Sequence, residues 1–314
     1  MRVTLVVDIT YRCNARCRYC RWGDGRTGER RDRPTLECCA DEAIIRRAGV
    51  DRVVFSGGEP LLNRQLNRIV AHYVDCGVSD RIVITNGLIA SAERLEACRQ
   101  AGATGFAFSI DGADEASMMR ARAMSREQME RIFDNLTTAA ALAQAHGLEL
   151  TVNCVLSAAN CSLTHVQRLV QRCEDAGAAG VKFQPVFDDG YMGVNAPDLR
   201  LRPEHAPVIR AIERDSARWK IKTNSPRFFA DIARCCEGEA LDGRSCGLEG
   251  RTLVLQDGGL VICPWVSSRA RQRPTELVQL RVEFRDVRES CDTGAHCFCL
   301  QPHEQAWMFR NGNA

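Results

Sequence analysis

The chain has 314 residues, 45% of them hydrophobic and 26% charged, enough for one large α/β domain with a smaller appendage, burying roughly three quarters of the unfolded surface. Its 42 Lys+Arg against 40 Asp+Glu leave a net charge of +2, which argues against a surface dedicated to nucleic acid or membrane. The longest apolar run near the start, Val3–Val7, is broken by Thr4 and closed by Asp8, so neither a signal peptide nor a membrane span is predicted and a cytoplasmic location is expected.

In chain order, short apolar runs predict strands at Val3–Ile9, Arg52–Phe55, Arg81–Thr85, Gly105–Ile110, Glu149–Leu156 and Gly180–Val186. Between them, helical periodicity predicts helices near 35–48, 64–76, 91–101, 125–146 and 164–176, with another near 203–219. Ser125 followed by Gln128 reads as a capping box opening the long fourth helix. Gly49, Gly77, Gly102, Gly147 and Gly177 each stand where a helix should end. Serial strand–helix units imply a parallel sheet that crossovers of one hand curl into an open or closed barrel; the fold class expected is α/β, a partial (β/α)6 barrel. Ligands then belong at the carboxyl ends of the strands.

After about residue 220 the expectation changes. Helical periodicity fades, and "RTLVLQDGGLVICPW" (251–265) reads as two strands around Asp257-Gly258-Gly259. Seven of the 17 cysteines lie between Cys235 and Cys299. In a cytosolic-type chain these read as thiols or metal ligands rather than disulfides. The division expected is therefore residues 1–220 for the barrel and 221–314 for a small metal-organised unit.

The chemistry concentrates just after the first strand. "YRCNARCRYCRWG" (11–23) spaces Cys13, Cys17 and Cys20 as C-x3-C-x2-C, with no fourth Cys or His close by. Structural zinc would need a fourth ligand, and Cys38, the nearest candidate, falls in a predicted helix. A 4Fe–4S cluster can instead use three thiolates and keep one iron open. With Tyr19 before the last cysteine, the motif resembles the signature of radical S-adenosylmethionine (SAM) enzymes, in which SAM fills the open position. "SGGEP" (56–60), "TNG" (85–87) and "FSIDG" (108–112) follow at the ends of strands two, three and four. The resemblance, over roughly residues 1–190, implies cofactor-binding roles for Tyr19, Gly57, Gly58, Glu59, Asn86, Ser109 and Asp111, and for Asn153 on strand five. Glu59 is expected to offer an acceptor to the SAM ammonium. One-electron reduction by a reductase, flavodoxin or ferredoxin would split SAM into methionine and a 5′-deoxyadenosyl radical, which takes hydrogen from an unactivated C–H bond.

The late cysteines extend the resemblance. Cys246, eleven residues, Gly258, four residues and Cys263 match the opening of the twitch and SPASM extensions, implying one auxiliary 4Fe–4S cluster completed by Cys291, Cys297 and Cys299. A zinc knob is the alternative, since thiolates alone do not distinguish the metals. These five thiols exceed four iron sites, and Cys235 and Cys236 lie nearby, so at least one thiol is expected to be no ligand. Cys246 serves in this reading either as a ligand or as a hydrogen-atom donor.

For the substrate, the barrel starting at residue 3 leaves no room upstream for a peptide leader-binding domain, which favours a small molecule over a ribosomal peptide. The layout is similar to the aminoglycoside-biosynthesis members, epimerases of the neomycin C type before aminocyclitol dehydrogenases. A polycationic substrate asks for carboxylates. Asp188 and Asp189 lie past strand six, and Glu237, Glu239 and Asp242 lie near the late cysteines; solvated loop charges are the other reading of both groups.

Overall fold

The structure, a computed structural model, describes residues 3–20, 32–186, 196–239, 252–256 and 259–261. Strands β1 (Val3–Thr10), β2 (Val50–Gly57), β3 (Asp80–Thr85), β4 (Gly105–Ser109), β5 (Glu149–Leu156) and β6 (Gly180–Pro185) pair in parallel in that order. This is the predicted partial (β/α)6 sheet, and each strand lies within a few residues of its expected bounds.

One buried row shows how the outer core is built. Val7, Phe55, Val83, Phe106 and Leu150 stand in register across five strands, each at most 2% exposed. Helices α3 (Leu66–Asp75), α4 (Ala92–Gln100), α6 (Arg126–His146) and α7 (Leu163–Asp175) carry the apolar stripes that cover such rows. Residues on the opposite face show the curl. Arg52 on β2 meets Glu149 on β5 at 2.7 Å, although a flat sheet would hold strands three apart about 14 Å from each other.

Four features depart from expectation. The helix predicted over 35–48 is two, α1 (Thr35–Cys38) and α2 (Glu42–Ala48). Tyr73 makes the break by donating to the Cys38 carbonyl at 2.8 Å and accepting from the Ala40 N–H at 3.3 Å, after which Asp41 caps α2. Helix α5 (Glu115–Arg122), capped by Asp114, is new. The helix near 203–219 opens as a 3-10 turn and becomes α8 (Ala206–Ser216). Helicity does not fade after 220: Ser225 caps α9 (Pro226–Cys236), whose Phe229 meets Phe183 of β6 edge-on at 5.8 Å between ring centroids.

The strand pair read in 251–265 is present as β7 (Thr252–Gln256) and β8 (Gly259–Val261), antiparallel to each other. β7 lies parallel on the free side of β1, so the sheet runs β6-β5-β4-β3-β2-β1-β7-β8. Buried Arg33 locks the seam, donating to Asp8 O at 2.6 Å and Leu255 O at 3.2 Å. Among the described residues no helix is long and apolar enough to cross a membrane.

Candidate cofactor site at the strand ends

The cysteine loop leaves β1 at its carboxyl end and is held there by the next strand. Gly58 N–H donates to Thr10 O and Glu59 N–H to Arg12 O, each at 2.7 Å. A side chain could not fit between: a Cβ on Gly58 would lie 2.1 Å from Arg12 O, and one on Gly57 2.4 Å from Thr10 O. The two glycines therefore serve first to press "SGGEP" against the cysteine loop. Asp32 holds the loop's base, accepting from Thr10 Oγ1 at 2.8 Å and pairing with Arg12 at 3.0 Å.

Cys17 is buried, while Cys13 and Cys20 are half-buried. Burial pushes the Cys13 thiol up to about 11 and Cys17 up to about 12, so without metal these thiols stay protonated at neutral pH. Bonding to a cation would replace those protons and relieve the cost of buried thiolates. Among the described residues no three Cys, His, Asp or Glu side chains gather as one metal ion requires. Three thiols grouped in one loop, without converging on a single ion, fit a cluster that takes one thiolate per iron.

Glu59 is fully buried, accepting from Leu61 N–H at 3.1 Å, Thr85 Oγ1 at 2.8 Å and Asn86 N–H at 2.7 Å. Burial outweighs these bonds and pushes its carboxyl up to about 7. Three of about four acceptor positions are thus occupied within the chain, and Glu59 joins three strand ends before any ligand is considered. Asn86 returns to the loop, donating to Asn14 Oδ1 at 2.7 Å and lying 3.8 Å from Cys13 Sγ.

Asp111, expected to contact SAM, is buried within a network of the chain itself. Its Oδ1 accepts from Val155 N–H at 2.8 Å; its Oδ2 accepts from Arg122 Nε at 2.8 Å and from the Tyr19 hydroxyl. Arg122 also donates to the Ser109 carbonyl. Ser109 and Asn153 stand in register on β4 and β5, both half-buried between buried neighbours, and so offer polar atoms at the sheet's ligand end. Asn160 ties this region together, donating to Asp111 O at 2.7 Å and Val155 O at 2.8 Å.

Arg122 and Asn160 were not singled out in the sequence. The signal for Arg122 was the Asp114–Ser117 cap of its helix. Glu237 and Glu239 pair with Arg210 and Arg234, each at 2.6 Å, so their charges are neutralised on α8 and α9 rather than offered to ammonium groups. Asp188, Asp189, Asp242, Cys246, Cys263, Cys291, Cys297 and Cys299 lie outside the described residues.

A profile described as the Radical SAM superfamily matches residues 7–156. The GTP 3′,8-cyclase 2 of Mycobacterium tuberculosis is 30% identical over 282 residues, covering 82% of this chain and 73% of that protein. The PqqA peptide cyclase of Methylobacterium nodulans is 27% identical over 246 residues, covering 75% and 62%. Among the GTP 3′,8-cyclases matched, the chain also spans 59% of the Mycobacterium marinum protein and 42% of the Mycolicibacterium smegmatis protein. In fold, Streptococcus suis SuiB bound to S-adenosylmethionine superposes with a TM-score of 0.66 at 14% identity, covering 95% of this chain and 72% of that one.

Proposed function

Because this chain belongs to the radical SAM superfamily, we propose that it takes one hydrogen atom from a C–H bond of a small cationic sugar and returns another from its own thiol to the opposite face, inverting that carbon. Cys13, Cys17 and Cys20 would hold the cluster, with Tyr19, Asn86, Ser109 and Asn153 around the SAM. The cluster and SAM, when bound, supply a 5′-deoxyadenosyl radical. The chain's own work is to fix the loop against Gly58 and Glu59.

The observation that carries inversion is the surplus of thiols: seven cysteines lie between Cys235 and Cys299, against four positions on one auxiliary cluster. Cys246, Cys263, Cys291, Cys297 and Cys299 would supply the cluster ligands of a twitch-type unit over 221–314, one of them being free to donate hydrogen; Cys246 is our first choice. The thiyl left behind returns to thiol with one electron and one proton, the electron coming from the external reductase, flavodoxin or ferredoxin. Asp188 and Asp189 would bind the sugar's ammonium groups.

Incubation with neomycin C, SAM and reductant in D2O should yield an isomer of equal mass apart from one deuterium at the inverted carbon. A carbonyl product two hydrogens lighter, without label, would replace inversion with dehydrogenation. A second reading follows from the likeness to the PqqA peptide cyclase: bond formation within a peptide. No turnover of the sugar, together with a loss of two hydrogens from a precursor peptide encoded beside the gene, would establish that reading.

A further inference from the structure

We propose that Arg122 sets the reduction potential of the cluster that Cys13, Cys17 and Cys20 would hold, a positioning and electrostatic role that rests on the radical SAM reading of the loop. Its guanidinium is inside the protein, the side chain only 6% exposed, and reaches the loop from α5. Nε donates to Asp111 Oδ2 at 2.8 Å and to the Tyr19 hydroxyl at 3.1 Å, and Nη1 donates to the Ser109 carbonyl. Tyr19 lies between Cys17 and Cys20. The adjoining Arg18 N–H donates to the carbonyl of Ala121, next to Arg122, at 3.0 Å. Two neighbouring points of the loop are thus tied to the last turn of α5, and the cation cannot drift from the thiols.

The field reaches them. Arg122 is bonded to Tyr19, which stands one residue from Cys20 and two from Cys17, so its charge is held beside the loop that carries the thiols. A reduced cluster carries one more negative charge than the oxidised one. A fixed cation in a low-dielectric surrounding therefore stabilises the reduced form more and raises the potential. Asp111 is fully buried and 2.8 Å from the same guanidinium, so it acts in the opposite sense. Charge, not mere packing, makes two predictions of opposite sign.

The test is a potentiometric titration of the full chain, reconstituted anaerobically, following the EPR signal that changes when SAM is added. Arg122→Gln keeps donors for Asp111 and Tyr19 but removes the charge. The reduced-to-oxidised ratio at a fixed potential should fall at least tenfold, a midpoint about 59 mV more negative. Arg122→Lys, with the charge kept, should stay within about threefold of the parent. Asp111→Asn should raise the ratio, and it carries the test if the Gln variant loses its iron. Unmoved midpoints in the variants that retain the cluster would overturn the proposal, as would equal shifts in the Gln and Lys variants. Failure of the underlying reading looks different: Cys17→Ala would then hold as much iron as the parent chain.

Discussion

Gly58→Ala tests the contact on which the cofactor site is built. The added Cβ would sit 2.1 Å from Arg12 O, a separation that real Cβ atoms keep above 3.0 Å. The Arg12 carbonyl must therefore retreat by about 0.9 Å, and it is one residue from Cys13. The retreat strains the 2.7 Å bonds from Gly58 N–H to Thr10 O and from Glu59 N–H to Arg12 O. Each is worth about 1 kcal/mol, and overpacking a well-packed site adds about 1–3 kcal/mol. A total of about 3–5 kcal/mol lowers Tm by about 6–20 °C, at about 2–4 °C per kcal/mol. Thermal unfolding of the metal-free chain and iron counting after reconstitution should report both effects together. Ser125→Ala is the control: loss of the α6 capping box should cost about 1 kcal/mol and leave the iron untouched. A Gly58→Ala chain that melts with the parent and fills with iron normally would refute the idea that this close approach shapes the loop.

Three further outcomes follow from the same geometry. Burial raises Glu59 from 4.5 to about 7, so the folded state holds its proton more tightly. That contribution to stability is complete below pH 4.5 and is lost as pH rises towards 7. Urea unfolding of the metal-free chain should thus show the stability difference between parent and Glu59→Gln changing by about 3 kcal/mol between pH 4 and pH 8, at about 1.4 kcal/mol per pH unit; a constant difference would contradict it. Asn160→Ala leaves the Asp111 and Val155 carbonyls and the Ser157 N–H without their partner and should cost about 2–4 kcal/mol by urea titration. Cys17→Ser should reconstitute with about four fewer irons per chain than the parent, by colorimetric iron assay.

Much of this was legible because it is local. The strands announce themselves as apolar runs, the long α6 by Ser125 and Gln128, and the cysteine loop by a spacing no other feature imitates. What was missed depends on distant partners. Arg122 acquires its meaning from Asp111, 11 positions away in the loop after β4, and from Tyr19, 103 positions away. Helix α5, "EASMMRAR", buries only Ser117, Met118, Ala121 and Arg122, so its periodicity is faint. Helix α9 carries an N-cap in Ser225 and an apolar face, but the cysteines and glycines that follow drew the reading towards an irregular unit. The two Asp111 oxygens show the same limit: the motif placed the residue at the right strand end, and only the fold revealed that Val155, Arg122 and Tyr19 occupy it.

The pairing of Thr4 with Thr252 joins positions 248 apart in the chain. On the ribosome, β1 therefore keeps one unprotected hydrogen-bonding margin until β7 has been made, an invitation to intermolecular aggregation. Truncations ending at residue 239 would inherit that margin permanently and should precipitate, whereas those carried through residue 261 should stay in solution.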